Sequence, residues 1–89
     1  MKEYTISIYS KCSLSLLNRI IIIFTRHRLH IESINAYESE IKEIQRYIIV
    51  LKANREQVEK VVLQIEKVIE VQKAFIYNKE DCGYQKIAL

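Results

Sequence analysis

Residues 13–34 change their hydrophobic period near the middle of the stretch, and this change constrains the fold more than any other feature of the sequence. In the first part, large apolar side chains recur three and four positions apart, the spacing of one helical face. The members of this stripe are Leu17, Ile20, Ile21, Phe24 and, at its positive end, Arg28. After Leu29 the side chains alternate, as they do along a strand. The stretch therefore predicts a helix that leads directly into a strand.

The isoleucine run inside this stretch has a second interpretation. Residues 20–23 are all isoleucine, and β-branching lowers helix propensity by about a few tenths of a kcal/mol per residue, so the run alone also fits a buried strand. However, the apolar stretch extends from Leu14 to Phe24 without a turn residue, which is long for a strand. Arg26 and Arg28 also suit the negative end of a helix dipole. These features favour the helix.

Alternating patterns elsewhere predict the strands. The predicted strands span residues 3–9, 30–38, 45–52 and 70–77. The polar residues 39–43 predict a hairpin connection between the second and third strands. The third strand is apolar on both faces, which predicts a central position with both faces covered. In the fourth strand the alternation places Val71 with Phe75 and Tyr77, opposite Ala74 and Ile76.

A second helix is predicted after residue 53. Asn54, followed three residues later by Gln57, has the pattern of a capping box. Apolar residues then recur at intervals of three and four and form one stripe. They are Val58, Val61, Val62, Ile65, Val68 and Ile69.

The predicted order of elements is βαββαβ, which defines an α+β fold class. This order is typical of the ferredoxin-like arrangement, a four-stranded antiparallel sheet with two helices on one face. A chain of 89 residues is long enough for one such domain with one modest core. No second domain and no internal repeat are predicted.

Composition excludes several classes of protein. Hydrophobic residues make up 49% and charged residues 28% of the chain, which is typical of a globular protein rather than a disordered one. No apolar run reaches the ~20 residues of a membrane span, and the alternating N-terminus lacks a signal-peptide core, so a cytoplasmic location is expected. Cys12 and Cys82 are expected to be free thiols. The net charge of +3 is mild and scattered, and it indicates no nucleic-acid partner.

The sequence offers no convergent catalytic or metal-binding set. His27 and His30 are flanked by Arg26 and Arg28, whose positive charges oppose a divalent cation. There is no glycine-rich phosphate loop and no nucleophile motif. The βαββαβ order is also that of RNA-binding RRM domains, but the strands offer tyrosines without the Gly-Phe pattern of those domains. RNA binding therefore remains the less favoured alternative.

Several segments together resemble one family. They are Leu16-Leu17-Asn18-Arg19-Ile20, then Phe24, Arg26 and Arg28, then Ile31-Glu32-Ser33-Ile34-Asn35, then Arg46 with Ile48, then residues 58–70 and 85–89. The chain resembles the ACT domain of the small, regulatory subunit of acetolactate synthase (acetohydroxyacid synthase). On this resemblance, residues 1–79 would form the ACT domain. Residues 80–89 would be a C-terminal tail, the start of a second domain into which the family's small subunits usually continue and which would be absent from this chain.

The resemblance implies a non-catalytic protein. It would bind and activate the large subunit of acetolactate synthase in branched-chain amino-acid biosynthesis. Thiamine diphosphate, FAD and magnesium would be bound by that large subunit, and no cofactor by this chain. ACT domains of the family pair through their sheets as a homodimer, and a branched-chain amino acid, chiefly valine, binds at the pairing interface. An amino-acid-sensing ACT module of a different enzyme is the alternative.

The resemblance also assigns candidate residues. The effector-binding positions would be Cys12, Ser15, Leu16, Leu17, His30 and Ile31. The family's loop has the form Asn-x-x-Gly-x-Leu and its helix-to-strand junction is Asn-Ile, so Cys12, Ser15 and His30 depart from the pattern. The two asparagine side chains of the family pattern, whose amides both donate and accept hydrogen bonds, are replaced here. Ser15 adds a side chain where glycine would let a ligand approach the backbone closely. Valine feedback is therefore expected to be weakened. Candidates for the partner interface are Arg19, Glu32 and Asn35.

Overall fold

The computed structural model of the chain describes residues 2–11 and 14–77. Its six elements follow the predicted order βαββαβ. They are β1 (Lys2–Lys11), α1 (Leu14–Arg26), β2 (Ile31–Glu38), β3 (Ile44–Ala53), α2 (Arg55–Glu66) and β4 (Val71–Tyr77). The isoleucine run lies in α1, which confirms the helix. The expectations for Cys12, Cys82 and the tail fall outside the described residues.

The strands form one antiparallel sheet in the order β2-β3-β1-β4. β1 and β3 are central, and Ile6 of β1 lies opposite Ile49 of β3. β2 and β4 occupy the two edges. The sheet and the two helices confirm the ferredoxin-like fold.

The main core lies between the sheet and the two helices. Ile6 and Ile8 of β1 meet Ile49 and Leu51 of β3, and all four side chains have 0% exposure. Both helices cover this layer with buried side chains, namely Leu16, Ile20, Phe24, Val58, Val61, Val62 and Ile65. Burying one large aliphatic side chain stabilises the fold by roughly 1.5–3 kcal/mol, so this layer dominates the stability of the domain.

The buried face of α1 differs from the predicted stripe. Leu16, Ile20 and Phe24, spaced four residues apart, are fully buried, and Leu17 packs against them from a half-buried position. Ile21, a member of the predicted stripe, is 41% exposed. The buried face is rotated by about 50° from the predicted stripe, because several rotations of an isoleucine-rich helix present an apolar face.

Two further predictions fail where an element ends. α2 ends at Glu66 with Lys67 as its C-cap, so Ile69 leaves the stripe and is 92% exposed. In β4 the pairing with β1 shifts register between Tyr9 and Ser10, and this bulge turns Val71 onto the helix-covered side with Ala74 and Ile76.

The capping box of α2 is confirmed. Asn54 Oδ1 accepts a hydrogen bond from the backbone N–H of Gln57, and Gln57 Oε1 accepts one from the backbone N–H of Asn54.

Candidate functional site

The first group of predicted effector residues lies at the start of α1. Ser15 is exposed in the first turn. Leu16 has 0% exposure and belongs to the main core, so its side chain supports the helix from below. Leu17 is half-buried beside it. The accessible part of this group is therefore the first turn of α1 and the side chain of Ser15.

The second group lies at the opposite end of α1. The amide of Arg28 donates to the Thr25 carbonyl and the amide of Leu29 donates to the Phe24 carbonyl, the pattern of a Schellman motif. Arg28 has a φ of 58°, a left-handed conformation that reverses the chain toward β2. His30 follows in an exposed position, and Ile31 begins β2 and packs against the main core.

The two groups are far apart within one chain. α1 has 13 residues, which corresponds to a length of about 20 Å. Ser15 stands at one end of this length and His30 just beyond the other. One small amino acid does not span that distance, so a ligand that touches both groups needs two copies of the chain.

Glu70 links the start of α1 to the end of β1 through two contacts. Arg19 Nη1 lies 2.7 Å from Glu70 Oε1, which joins the second turn of α1 to the connection between α2 and β4. The carbonyl of Glu70 accepts a 3.0 Å hydrogen bond from the amide of Lys11 at the end of β1. Glu70 therefore contacts both elements that flank residues 12–13. The predicted interface residue Arg19 is exposed but ion-paired within its own chain.

The other predicted interface residues lie on the edge strand β2. Asn35 is exposed, and Glu32 forms a 3.7 Å ion pair with Lys52 of β3. Tyr37 of β2 is also 52% exposed on this edge strand. Among the described residues, β2 thus offers a strand edge that pairs with β3 alone and carries an exposed aromatic side chain.

The sheet has a second face, opposite the helices, which we call the open face. Tyr9 and Ile44 are buried on it, and Phe75 and Tyr77 pack against them in a small cluster. The rings of Tyr9 and Phe75 are stacked with centroids 6.4 Å apart. Arg46 Cζ and Lys73 Nζ each lie 5.6 Å from a ring centroid, over Tyr9 and Phe75 respectively.

The electrostatics of the open face centre on Tyr9. Burial raises the pKa of its hydroxyl above the ordinary value, the charge of Glu40 acts in the same direction, and Arg46 opposes the shift. Arg46 Nε also donates to the fully buried Ser7 Oγ at 3.3 Å. Sequence alternation places Tyr9 and Phe75 on this face, but it does not show that β1 and β4 are neighbours, so this cluster was not predicted.

The sequence pattern of the AHAS small subunit-like ACT domain matches residues 16–73, well over half of the chain. The chain belongs to this family. Among curated proteins, none matches the sequence of this ACT domain.

Solved structures share the fold of this ACT domain. The acetolactate synthase small subunit from Thermotoga maritima superposes with a TM-score of 0.79 at 24% identity, covering 88% of this chain and 48% of the other. The homoserine dehydrogenase from Thiobacillus denitrificans gives 0.71 at 17% identity, covering 83% and 16%. The ACT domain from the GTP pyrophosphokinase of Chlorobium tepidum gives 0.70 at 14% identity, covering 86% of each chain. This ACT domain thus spans about half the length of the Thermotoga small subunit.

The described part of the ACT domain holds no group of three His, Cys, Asp or Glu side chains able to bind a metal ion. Neither helix within residues 2–11 and 14–77 is long and apolar enough to cross a bilayer. The surfaces that remain as functional candidates are the two ends of α1, the β2 edge and the open face.

Proposed function

We propose that this ACT domain is the non-catalytic regulatory small subunit of acetolactate synthase. It binds the thiamine-diphosphate-dependent large subunit and raises its activity in branched-chain amino-acid biosynthesis. The observation that carries the proposal is the match of residues 16–73 to the AHAS small subunit-like ACT domain. Cofactors belong to the large subunit in this proposal.

The domain acts as a homodimer joined along β2. Pairing two β2 edges around a two-fold axis places the two α1 helices side by side and antiparallel. Ser15 of one copy then approaches His30 of the other. The two groups of effector residues, which lie about 20 Å apart within one chain, thus meet across the dimer. The exposed Ile21 and Ile22, near the middle of α1, become covered at the same contact. The dimer therefore has two equivalent effector sites.

Valine binds these sites weakly. A helix N-terminus offers free backbone amides to the carboxylate of an amino acid, and α1 begins at the site. The three departures Cys12, Ser15 and His30 all fall on this site, where the family has amides and a glycine. The large subunit is thus activated with reduced valine feedback.

The test is acetolactate formation by the cognate large subunit, with and without this chain, across a valine titration. We expect activation with little inhibition by valine. Activation with full inhibition would contradict the weakened feedback but support the subunit assignment. No effect at any ratio would overturn the assignment and favour an ACT module of another enzyme, which co-purification would identify.

A further inference from the structure

The edge of β2 that faces away from β3 presents the backbone groups of every second residue. Ser39 follows β2 in the same register with β3, and its amide donates a 3.0 Å hydrogen bond to the carbonyl of Ile44. Backbone N–H and C=O groups alternate in direction along an antiparallel strand, so the odd-numbered residues of β2 bond to β3 and the even-numbered ones point outward. The outward residues are Ile34, Ala36 and Glu38.

A bulge limits the length of this edge. The register with β3 changes between Ile31 and Ser33, so Glu32 lies outside the regular ladder. At its other end β2 stops at Glu38, where the hairpin to β3 begins. Within the part of the chain that the structure describes, a partner strand therefore finds a regular edge only along residues 33–38 of β2.

Two copies that pair along this edge have few registers available. In a two-fold antiparallel pair, each outward residue has to meet an outward residue of the other copy, because such a pair exchanges both hydrogen bonds. With the axis at Ala36, this residue meets its own copy and Ile34 meets Glu38, so all outward residues are used. With the axis at Asn35 or Tyr37, one outward residue of each copy meets the bulge or the hairpin instead.

The side chains favour the axis at Ala36 as well. Ile34 packs against the main core, and alternation along the strand places Ala36 and Glu38 on the same, helix-covered side. The axis then carries two methyl groups, which are small enough for the two α1 helices to approach each other above them. An axis at Glu38 would instead place two carboxylates directly opposite each other, which is unfavourable.

We propose that the homodimer pairs its β2 strands in a single register, with Ala36 on the two-fold axis and Asn35 opposite Tyr37 of the other copy. This register rests on the proposed function, which supplies the homodimer along β2. The next allowed register displaces the other copy by two residues, about 6.8 Å along the strand. The register therefore determines whether Ser15 of one copy meets His30 of the other.

The test is disulfide cross-linking between chains that each carry one added cysteine. In the proposed register, Asn35 and Tyr37 of the other copy form a non-hydrogen-bonded pair with Cα atoms about 4.5 Å apart, within the range of a disulfide. Two copies of Asn35, or two copies of Tyr37, have Cα atoms roughly 8 Å apart, which is too far. After subunit exchange and mild oxidation, we expect a mixture of Asn35→Cys and Tyr37→Cys chains to form covalent dimers, and each variant alone to form none.

The controls isolate the added cysteines. The unmodified chain, oxidised in parallel, reports any cross-link through Cys12 or Cys82. A mixture of Tyr37→Cys with Lys60→Cys, whose cysteine lies on the exposed side of α2, should give no covalent dimer. Peptide mass analysis identifies the joined cysteines, and circular dichroism verifies the fold of each variant.

Each outcome decides the register. A cross-link in Asn35→Cys alone moves the axis to Asn35, and one in Tyr37→Cys alone moves it to Tyr37; either result overturns the proposal. A dimer in sedimentation that forms no cross-link in any combination also overturns it, because the copies then pair elsewhere. A monomer, with and without the large subunit present, rejects the register together with the homodimer.

Acetolactate formation separates this proposal from the proposed function. If the cognate large subunit is activated but the mixed cross-link does not form, the regulatory assignment stands and the register fails. If the mixed cross-link forms but the large subunit is not activated at any ratio, the register stands and the regulatory assignment fails.

Discussion

The amide of Leu29 donates a 3.0 Å hydrogen bond to the carbonyl of Phe24, five residues earlier, and this bond ends α1. It holds the intervening Arg28 at a φ of 58°, where glycine is the usual residue. A non-glycine residue in this conformation costs roughly 1–2 kcal/mol. This unfavourable conformation lies in the turn that leads into His30 and Ile31.

Arg28→Gly should stabilise the protein. Relief of the left-handed backbone exceeds the extra entropy of glycine in the unfolded chain, so the free energy of unfolding should rise by about 0.5–1 kcal/mol. Urea unfolding measures the change as a shifted midpoint. The control Arg26→Gly, still inside α1, should lose about 1 kcal/mol. A loss of similar size in both variants would contradict the role of the turn.

Tyr9 should make stability fall at alkaline pH. Burial raises its pKa in the folded protein above the ordinary value of 10.0, so the unfolded chain releases the proton first. The stabilisation is fully present below about pH 10 and is lost as the pH rises through the folded-state pKa. Urea unfolding at several pH values should show a steeper decline for the wild type than for Tyr9→Phe. Tyr37→Phe, which removes an exposed hydroxyl, should behave like the wild type.

Ile22→Asp should separate the dimer into monomers. Ile22 is 49% exposed on α1, and in the proposed dimer the two α1 helices lie side by side, so a carboxylate at this position would be buried against its symmetry-related copy. Sedimentation should show the mass fall by half while circular dichroism stays unchanged. Leu63→Asp places the same charge on α2, where Leu63 is 58% exposed, and should stay dimeric. A dimer in both variants would place the interface elsewhere.

Ser15→Gly combined with His30→Asn should strengthen valine binding. The glycine lets valine approach the backbone at the start of α1, and the asparagine restores one side-chain amide at the helix-to-strand junction. Two hydrogen bonds of about 1 kcal/mol each would raise the affinity for valine at least about tenfold. Titration calorimetry with valine measures the change. The control His27→Asn makes the same histidine substitution outside the proposed site. Unchanged affinity in the restored variant would refute the effector assignment.

The sequence alone determined the order of the elements and the residues of most core positions. Hydrophobic patterns of period two and period 3.6 are local, and so is the hydrogen-bond pattern of the capping box at Asn54 and Gln57. Each can therefore be predicted without the rest of the chain. The hairpin at residues 39–43 could be predicted for the same reason. The resemblance located the candidate site residues but did not place them in space.

Tertiary structure decided the features that depend on distant neighbours. Which face of α1 is buried depends on the sheet beneath it, so Leu16 and Ile20 are buried while Ile21 is exposed. The bulge that turns Val71 inward exists only because β4 pairs with β1. The separation of Ser15 from His30 follows from the length of α1, and the contacts of Arg46 and Lys73 with aromatic rings follow from strand order. These features arise from pairing and packing between segments far apart in sequence, which local periodicity does not encode.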